Sequence, residues 1–129
     1  MHGGVVGRAR RAGVQTMVTI STTLSGWDRV KEIAETYDNV WCSVGVHPHE
    51  AGAEGQSAPD KLIELAQHPR VVGIGESGLD YHYDNSPRQA QAESFRTHIV
   101  AARETGLPLI VHAREADEDT AMILREGYE

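Results

Sequence analysis

Two apolar runs in this sequence each end on a side chain that binds cations well. Val71-Val72-Gly73-Ile74-Gly75 stops at Glu76, and Leu109-Ile110-Val111 stops at His112. A carboxylate among apolar neighbours is costly unless something pairs with it. A histidine at the matching point of the next unit offers a neutral nitrogen to the same cation. Parallel α/β folds assemble their active sites at the carboxyl ends of strands, so the pair describes a site better than a core. Glu76 reads as a catalytic residue and a metal ligand able to bridge two divalent ions, and His112 as a metal ligand. A salt-bridged loop acid and a hydrogen-bonded core histidine are the plainer alternatives.

Other candidates lie close by. Arg114 points the same way as His112 along an extended segment, and a guanidinium there suits bidentate binding of phosphate. An ion pair with Glu115 or Asp117 explains Arg114 equally well. Val44-Gly45-Val46-His47-Pro48-His49 ends another apolar run with two histidines around a proline. The proline constrains the backbone and no acid follows nearby, so His47 and His49 read as substrate-binding residues at the mouth. Asp80 is placed to orient the Glu76 loop or to support a ligand from behind. Tyr81 either flanks a substrate or packs. Gly75 and Gly78 leave room for close approach to Glu76. His2, His68, His82 and His98 receive no metal role.

These side chains need strands and helices to position them. Val5, Val6, Ala9 and Ala12 form a helical stripe ending near Gly13. Thr16 to Ser21 is β-rich. Trp27, Val30, Ile33, Ala34 and Tyr37 recur on one face of a helix. Val40 to Gly45 reads as the next strand. Ser57 caps a short helix carrying Leu62, Leu65 and Ala66, with Asp60 near the positive end of its dipole. Val71 to Gly75 is a third strand. Ser86-Pro87-Arg88-Gln89 opens a helix with serine as the cap and proline in the first turn, and that helix closes at Gly106. Leu107 to Val111 is a fourth strand and Glu115 to Arg125 a last helix. Near-continuous apolar strands indicate a parallel sheet with helices over both faces. The class is α/β, with units of barrel-like length. Parallel strands joined by helices usually begin with β, so a strand before the opening helix is missing. Four strands are too few to close a barrel.

Composition narrows the rest. The 129 residues suffice for one domain with a core, and 40% hydrophobic with 24% charged residues argues against disorder. No apolar run approaches the ~20 residues that cross a bilayer, and the opening segment lacks a secretory core, so a cytoplasmic location is expected. Cys42 is the single cysteine and sits among apolar neighbours, which excludes an intrachain disulfide and favours inert packing. A net charge of −7 argues against coating a duplex by phosphate neutralisation, although bound divalent cations can supply local positive charge to a nucleic-acid substrate.

Gly45-Val46-His47-Pro48-His49, Gly73-Ile74-Gly75-Glu76-Ser77-Gly78-Leu79-Asp80-Tyr81 and Gly106-Leu107-Pro108-Leu109-Ile110-Val111-His112-Ala113-Arg114 follow one another in a familiar order. Together they resemble the TatD family of metal-dependent hydrolases, within the broader amidohydrolase-like barrels, over nearly the whole chain. The resemblance implies a partial TIM-type (β/α) barrel of about four parallel strands, an amino-terminal-half fragment with the first strand and the carboxyl-terminal half absent. It implies that Glu76 is the carboxylate shared by two divalent metal ions and His112 a ligand to one of them. Family members are similar in carrying a His-x-His pair on the first strand, a further histidine on the fifth and an aspartate near the end of the eighth. None has a counterpart in this sequence. Ser77 stands where an apolar or small residue often occurs, and His98 where glutamine is frequent.

The implied reaction is phosphodiester hydrolysis of DNA by a water lying between two metals, whether magnesium, manganese or zinc. Other ester or amide substrates fit the same kind of barrel. With most of the ligand set absent, the fragment is expected to have little or no activity. A non-catalytic half-barrel that self-associates through its open strand edges is the competing expectation.

Overall fold

Each apolar run becomes a strand, and each three- and four-residue periodicity becomes a helix. In this computed structural model, residues 2–54 and 58–129 are described. Helix α1 (His2–Arg11) leads through Gly13, at φ +100°, into strand β1 (Met17–Thr19). That backbone angle suits glycine. Helix α2 (Trp27–Thr36) and strand β2 (Val40–Val44) follow, then a 3₁₀ turn (Pro48–Glu50) and the short helices α3 (Ala51–Glu54) and α4 (Pro59–Leu65). Strand β3 (Val71–Asp80), helix α5 (Arg88–Thr105), strand β4 (Leu109–Arg114) and helix α6 (Asp117–Tyr128) complete the chain.

The strands pair in the order β1-β2-β3-β4, and every pairing is parallel. Right-handed crossovers in sequential order put the helices on one face of a sheet. This is the wall of a β/α barrel; a doubly wound sheet reverses its strand order and has helices on both faces. The expected double covering therefore gives way to a single helical layer. Cys42 and Val44 are buried in the main apolar cluster with Trp27, Ala34, Leu62 and Ile74. Ser43 between them is buried by polar contacts, bonding Ser21 and Gly75. Phe95, Ile99, Ile123 and Leu79 form a second cluster beneath α5 and α6. Burial raises the Cys42 thiol pKa to about 11, which keeps it protonated and inert.

Several local expectations change. Strand β3 does not stop at Gly75 but runs to Asp80, and its pairing with β4 shifts register between Ile74 and Ser77. Glu76 thus sits within an irregular strand and not on a loop, because the bulge lets pairing resume beyond it. Ser86 does not cap α5. Pro87 precedes the helix, while Ser86 Oγ accepts from Gly52 N–H and donates to the His49 carbonyl, both at 2.9 Å. That tie between loops takes the hydroxyl away from the helix end. Strand β4 extends to Arg114, and α6 starts at Asp117, after Glu115 at φ +54°. The cap expected at Ser57 lies outside the described residues; the residue preceding α4 is Ala58. Gly106 closes α5 in the left-handed conformation, at φ +72°. No described helix is long and apolar enough to cross a membrane.

Candidate metal centre

The site stands where the ends of β2, β3 and β4 crowd together. A Cβ on Gly45 would lie 2.6 Å from the Gly75 Cα, and one on Gly78 would collide with the His112 carbonyl oxygen. The glycines thus make room for neighbouring backbone, not for a ligand as the sequence suggested. A buried serine network locks the same level. Ser43 Oγ donates to the Gly75 carbonyl at 2.7 Å and accepts from Ser21 N–H at 3.1 Å. The Ser21 carbonyl accepts from Glu76 N–H at 3.2 Å. The Glu76 backbone is therefore held from two strands away.

Five side chains converge above this floor. Glu76 Oε1 lies 3.2 Å from His112 Nδ1 and 3.3 Å from His47 Nε2. Asp80 Oδ2 lies 2.9 Å from His112 Nε2 and 2.8 Å from His49 Nε2. Asp80 is fully buried, while the other four keep modest exposure. Burial alone would raise the Asp80 pKa. Bonds from Tyr83 N–H, His112 and His49 outweigh it and hold the carboxyl well below the usual carboxylate range.

An ionised carboxylate only accepts, so the partners settle the tautomers. His49 and His112 each donate Nε2–H to Asp80, which leaves the His112 Nδ1 lone pair facing Glu76 Oε1. Two acceptors at 3.2 Å repel each other unless a cation or a proton lies between them. The donor set of nitrogen and carboxylate oxygen suits a divalent metal, so these residues fit the cofactor that the sequence implies. His47 differs. Its Nδ1 accepts from His49 N–H at 3.1 Å, so the neutral ring carries its proton on Nε2, pointing at Glu76. Burial, then the neighbouring His112 ring, lowers the His47 pKa and favours that neutral form. His47 is arranged to donate a hydrogen bond, not to ligate through Nε2. Together, His47, Glu76 and His112 form one group of converging ligand atoms, and His49, Asp80 and His112 another.

The remaining candidates stand apart from the cluster. The Arg114 guanidinium lies over the Tyr83 ring at 5.0 Å, and Glu115 pairs with His82 instead. Tyr81 packs sideways: its hydroxyl donates to Asp119 at 2.7 Å, and Arg88 covers its ring at 3.9 Å. Two helix residues that sequence reasoning left unassigned hold the strand ends. Gln91 Oε1 accepts from Asp80 N–H at 2.8 Å. His98 is buried, with Nε2 accepting from Val46 N–H at 2.9 Å and Nδ1 facing the Ser94 carbonyl at 2.6 Å. A buried amide and a buried imidazole on one helix, each needing a partner, were the available signal.

Known proteins resemble this chain in sequence and fold. The metal-dependent hydrolase YabD of Bacillus subtilis, itself uncharacterised, is 39% identical over 122 residues, covering 95% of this chain and 48% of that protein. The 3'-5' ssDNA/RNA exonuclease TatD of Klebsiella pneumoniae is 34% identical over 128 residues, 99% of this chain and 49% of its own length. The chain thus spans about half the length of these curated relatives. Among crystal structures, the TatD homologue YJJV of Escherichia coli superposes with a TM-score of 0.82 at 27% identity, over 96% of this chain and 49% of that one. A TatD family hydrolase of Entamoeba histolytica gives 0.83 at 28% identity, over 95% and 44%. These superpositions bear out the partial β/α barrel. The family described as TatD related DNase matches residues 2–129, and this chain belongs to it.

Proposed function

We propose that this chain contributes the Glu76–His112 part of a divalent-metal site that hydrolyses phosphodiesters in nucleic acid. The observation that carries the reading is the Glu76 Oε1 to His112 Nδ1 approach at 3.2 Å, acceptor facing acceptor, with Asp80 fixing the imidazole from behind. Metal bound there supplies Lewis acidity and a water activated near neutral pH. Glu76 and His112 Nδ1 hold it. In this reading the Arg114 guanidinium, and His47 once metal takes its place beside Glu76, would bind a phosphate, with His49 next to them. The names of the relatives support nucleic acid as the substrate.

The test is zinc or manganese binding by titration calorimetry, beside cleavage of a labelled oligonucleotide. Wild-type chain is expected to bind metal, and Glu76→Ala to lose it. Turnover by the 129-residue chain is expected to be low or nil, because it spans half of its relatives. Equal metal affinity in wild type and Glu76→Ala would end the proposal. The free edges of β1 and β4, where Val18 and Val111 are exposed, favour a second property: association of the chain with itself.

A further inference from the structure

Tyr83 stands beside the cluster and belongs to neither apolar core. The residue is 53% exposed although its backbone is pinned, with the N–H donating to Asp80 Oδ1 at 3.1 Å. The carboxylate that orients His112 therefore also fixes Tyr83. Around the ring, His49 stands edge-on at 5.4 Å, His82 edge-on at 4.6 Å, and the Arg114 guanidinium lies over it at 5.0 Å. Only the His49 ring separates Tyr83 from His112, 6.0 Å further on.

An exposed, oriented aromatic ring beside a cation is the pairing that binds flat π-faces. The nearby acids have other partners. Asp84 is engaged by Arg88 through two bonds at 2.9 and 3.0 Å, and Glu115 by His82 at 3.1 Å. The cation over Tyr83 is the exposed Arg114 guanidinium.

Resting on the phosphodiester reading above, we propose that Tyr83 and Arg114 form a stacking subsite for one nucleobase next to the metal site at Glu76 and His112. In a duplex the faces of paired bases are covered by their neighbours. A single strand or a frayed end can lay a base on Tyr83, so the subsite selects unpaired nucleic acid. Neither its shape nor its chemistry reads the base edge, and it accepts any base.

The probe is an oligothymidylate of roughly six nucleotides with cleavage-resistant linkages, alongside the same strand with its bases removed. Binding is read by fluorescence anisotropy on the full 129-residue chain with added manganese, the cleavage-resistant linkages preventing turnover. Stacking contributes about 1–3 kcal/mol per base, so Tyr83→Ala is expected to weaken thymidylate binding roughly 5- to 150-fold. Binding of the abasic strand should not change, and Tyr83→Trp should keep both affinities. Loss of both strands alike in Tyr83→Ala, or of neither, overturns the subsite. A wild-type chain that binds the two strands equally rejects the subsite and leaves the phosphodiester reading standing. A wild-type chain that binds neither strand overturns both.

Discussion

Asp80 accepts from the imidazoles of His49 and His112 and from the backbone N–H groups of His82 and Tyr83. Replacing it with asparagine exchanges one acceptor oxygen for an NH₂ donor, so those four donors can no longer all be satisfied. His112 then loses the bond that keeps its Nδ1 lone pair turned toward Glu76. Asp80→Asn is expected to lower divalent-metal affinity about 10- to 100-fold, measured by calorimetry with the far-ultraviolet circular dichroism unchanged. An unaltered Kd would show that Asp80 does not orient the ligand. His98 makes a different forecast. Burial pushes its pKa from the ordinary 6.5 down to about 4, against the smaller opposing effect of the Ser94 carbonyl. The folded chain binds the proton less readily than the unfolded one. The stabilisation is therefore complete above about pH 6.5 and is lost as pH falls toward 4. Its full size is on the order of 3 kcal/mol. His98→Gln keeps an acceptor for Val46 N–H but cannot titrate, so its urea-unfolding free energy should fall less than that of wild type between pH 7 and 4. Identical pH slopes would refute the assignment. Of these residues, Asp80 was legible because a second acid stands four positions after Glu76. His98 was not, since no pattern along a helix says which strand end its imidazole will reach.

At the scale of elements, β3 decides where the site sits. Its apolar start was plain in the sequence, but its continuation through Glu76 to Asp80 was hidden. Glycine-rich stretches read as loops unless neighbouring backbones are known to need the space. Gly78 has that need: at φ +135°, any Cβ would collide with the His112 carbonyl. Gly78→Ala should push β3 from β4 and lower stability by about 1–3 kcal/mol, with metal affinity falling in parallel because His112 moves. Chemical denaturation beside metal titration checks both, and wild-type values for either would show that the strands yield without harm. Ser77 gives the opposite forecast. Its hydroxyl is buried without a hydrogen-bond partner among the described residues. Ser77→Ala removes a polar group whose unpaired burial costs about 1–3 kcal/mol, so the midpoint of unfolding should rise or stay level. The same strand thus contains two glycines, Gly75 and Gly78, whose Cβ would meet neighbouring backbone, and one serine whose hydroxyl has no hydrogen-bond partner among the described residues. Helices were easier to read, since their apolar periodicity survives whatever they pack against. The start of α5 was not: Ser86 was drawn into the contact between loops.

Across the whole molecule, the described residues form a four-stranded wall with two open edges. Strands β1 and β4 each have a single partner, and Val18 and Val111 on them are 44% and 39% exposed. Unpaired edge groups and apolar side chains favour pairing with another chain. The net charge of −7 opposes it by mutual repulsion. Which effect wins depends on salt, because charges more than about 10 Å apart are largely screened at 0.1 M. Association driven by edges and apolar contact should therefore strengthen as salt is raised, whereas association through ion pairs would weaken. Sedimentation velocity over a concentration series, at low and then moderate salt, separates the two. The wild-type chain is expected to form dimers or larger species that grow with salt. Val111→Lys should return it to monomer, since a lysine on an edge strand resists the approach of a second edge. A monomer at every concentration and salt would mean that the exposed edges are too short, or too well blunted, to hold a partner. The parallel order of the strands was readable from apolar runs separated by helices. The hazard at the edges became readable only once β1 and β4 were known to be the outer strands.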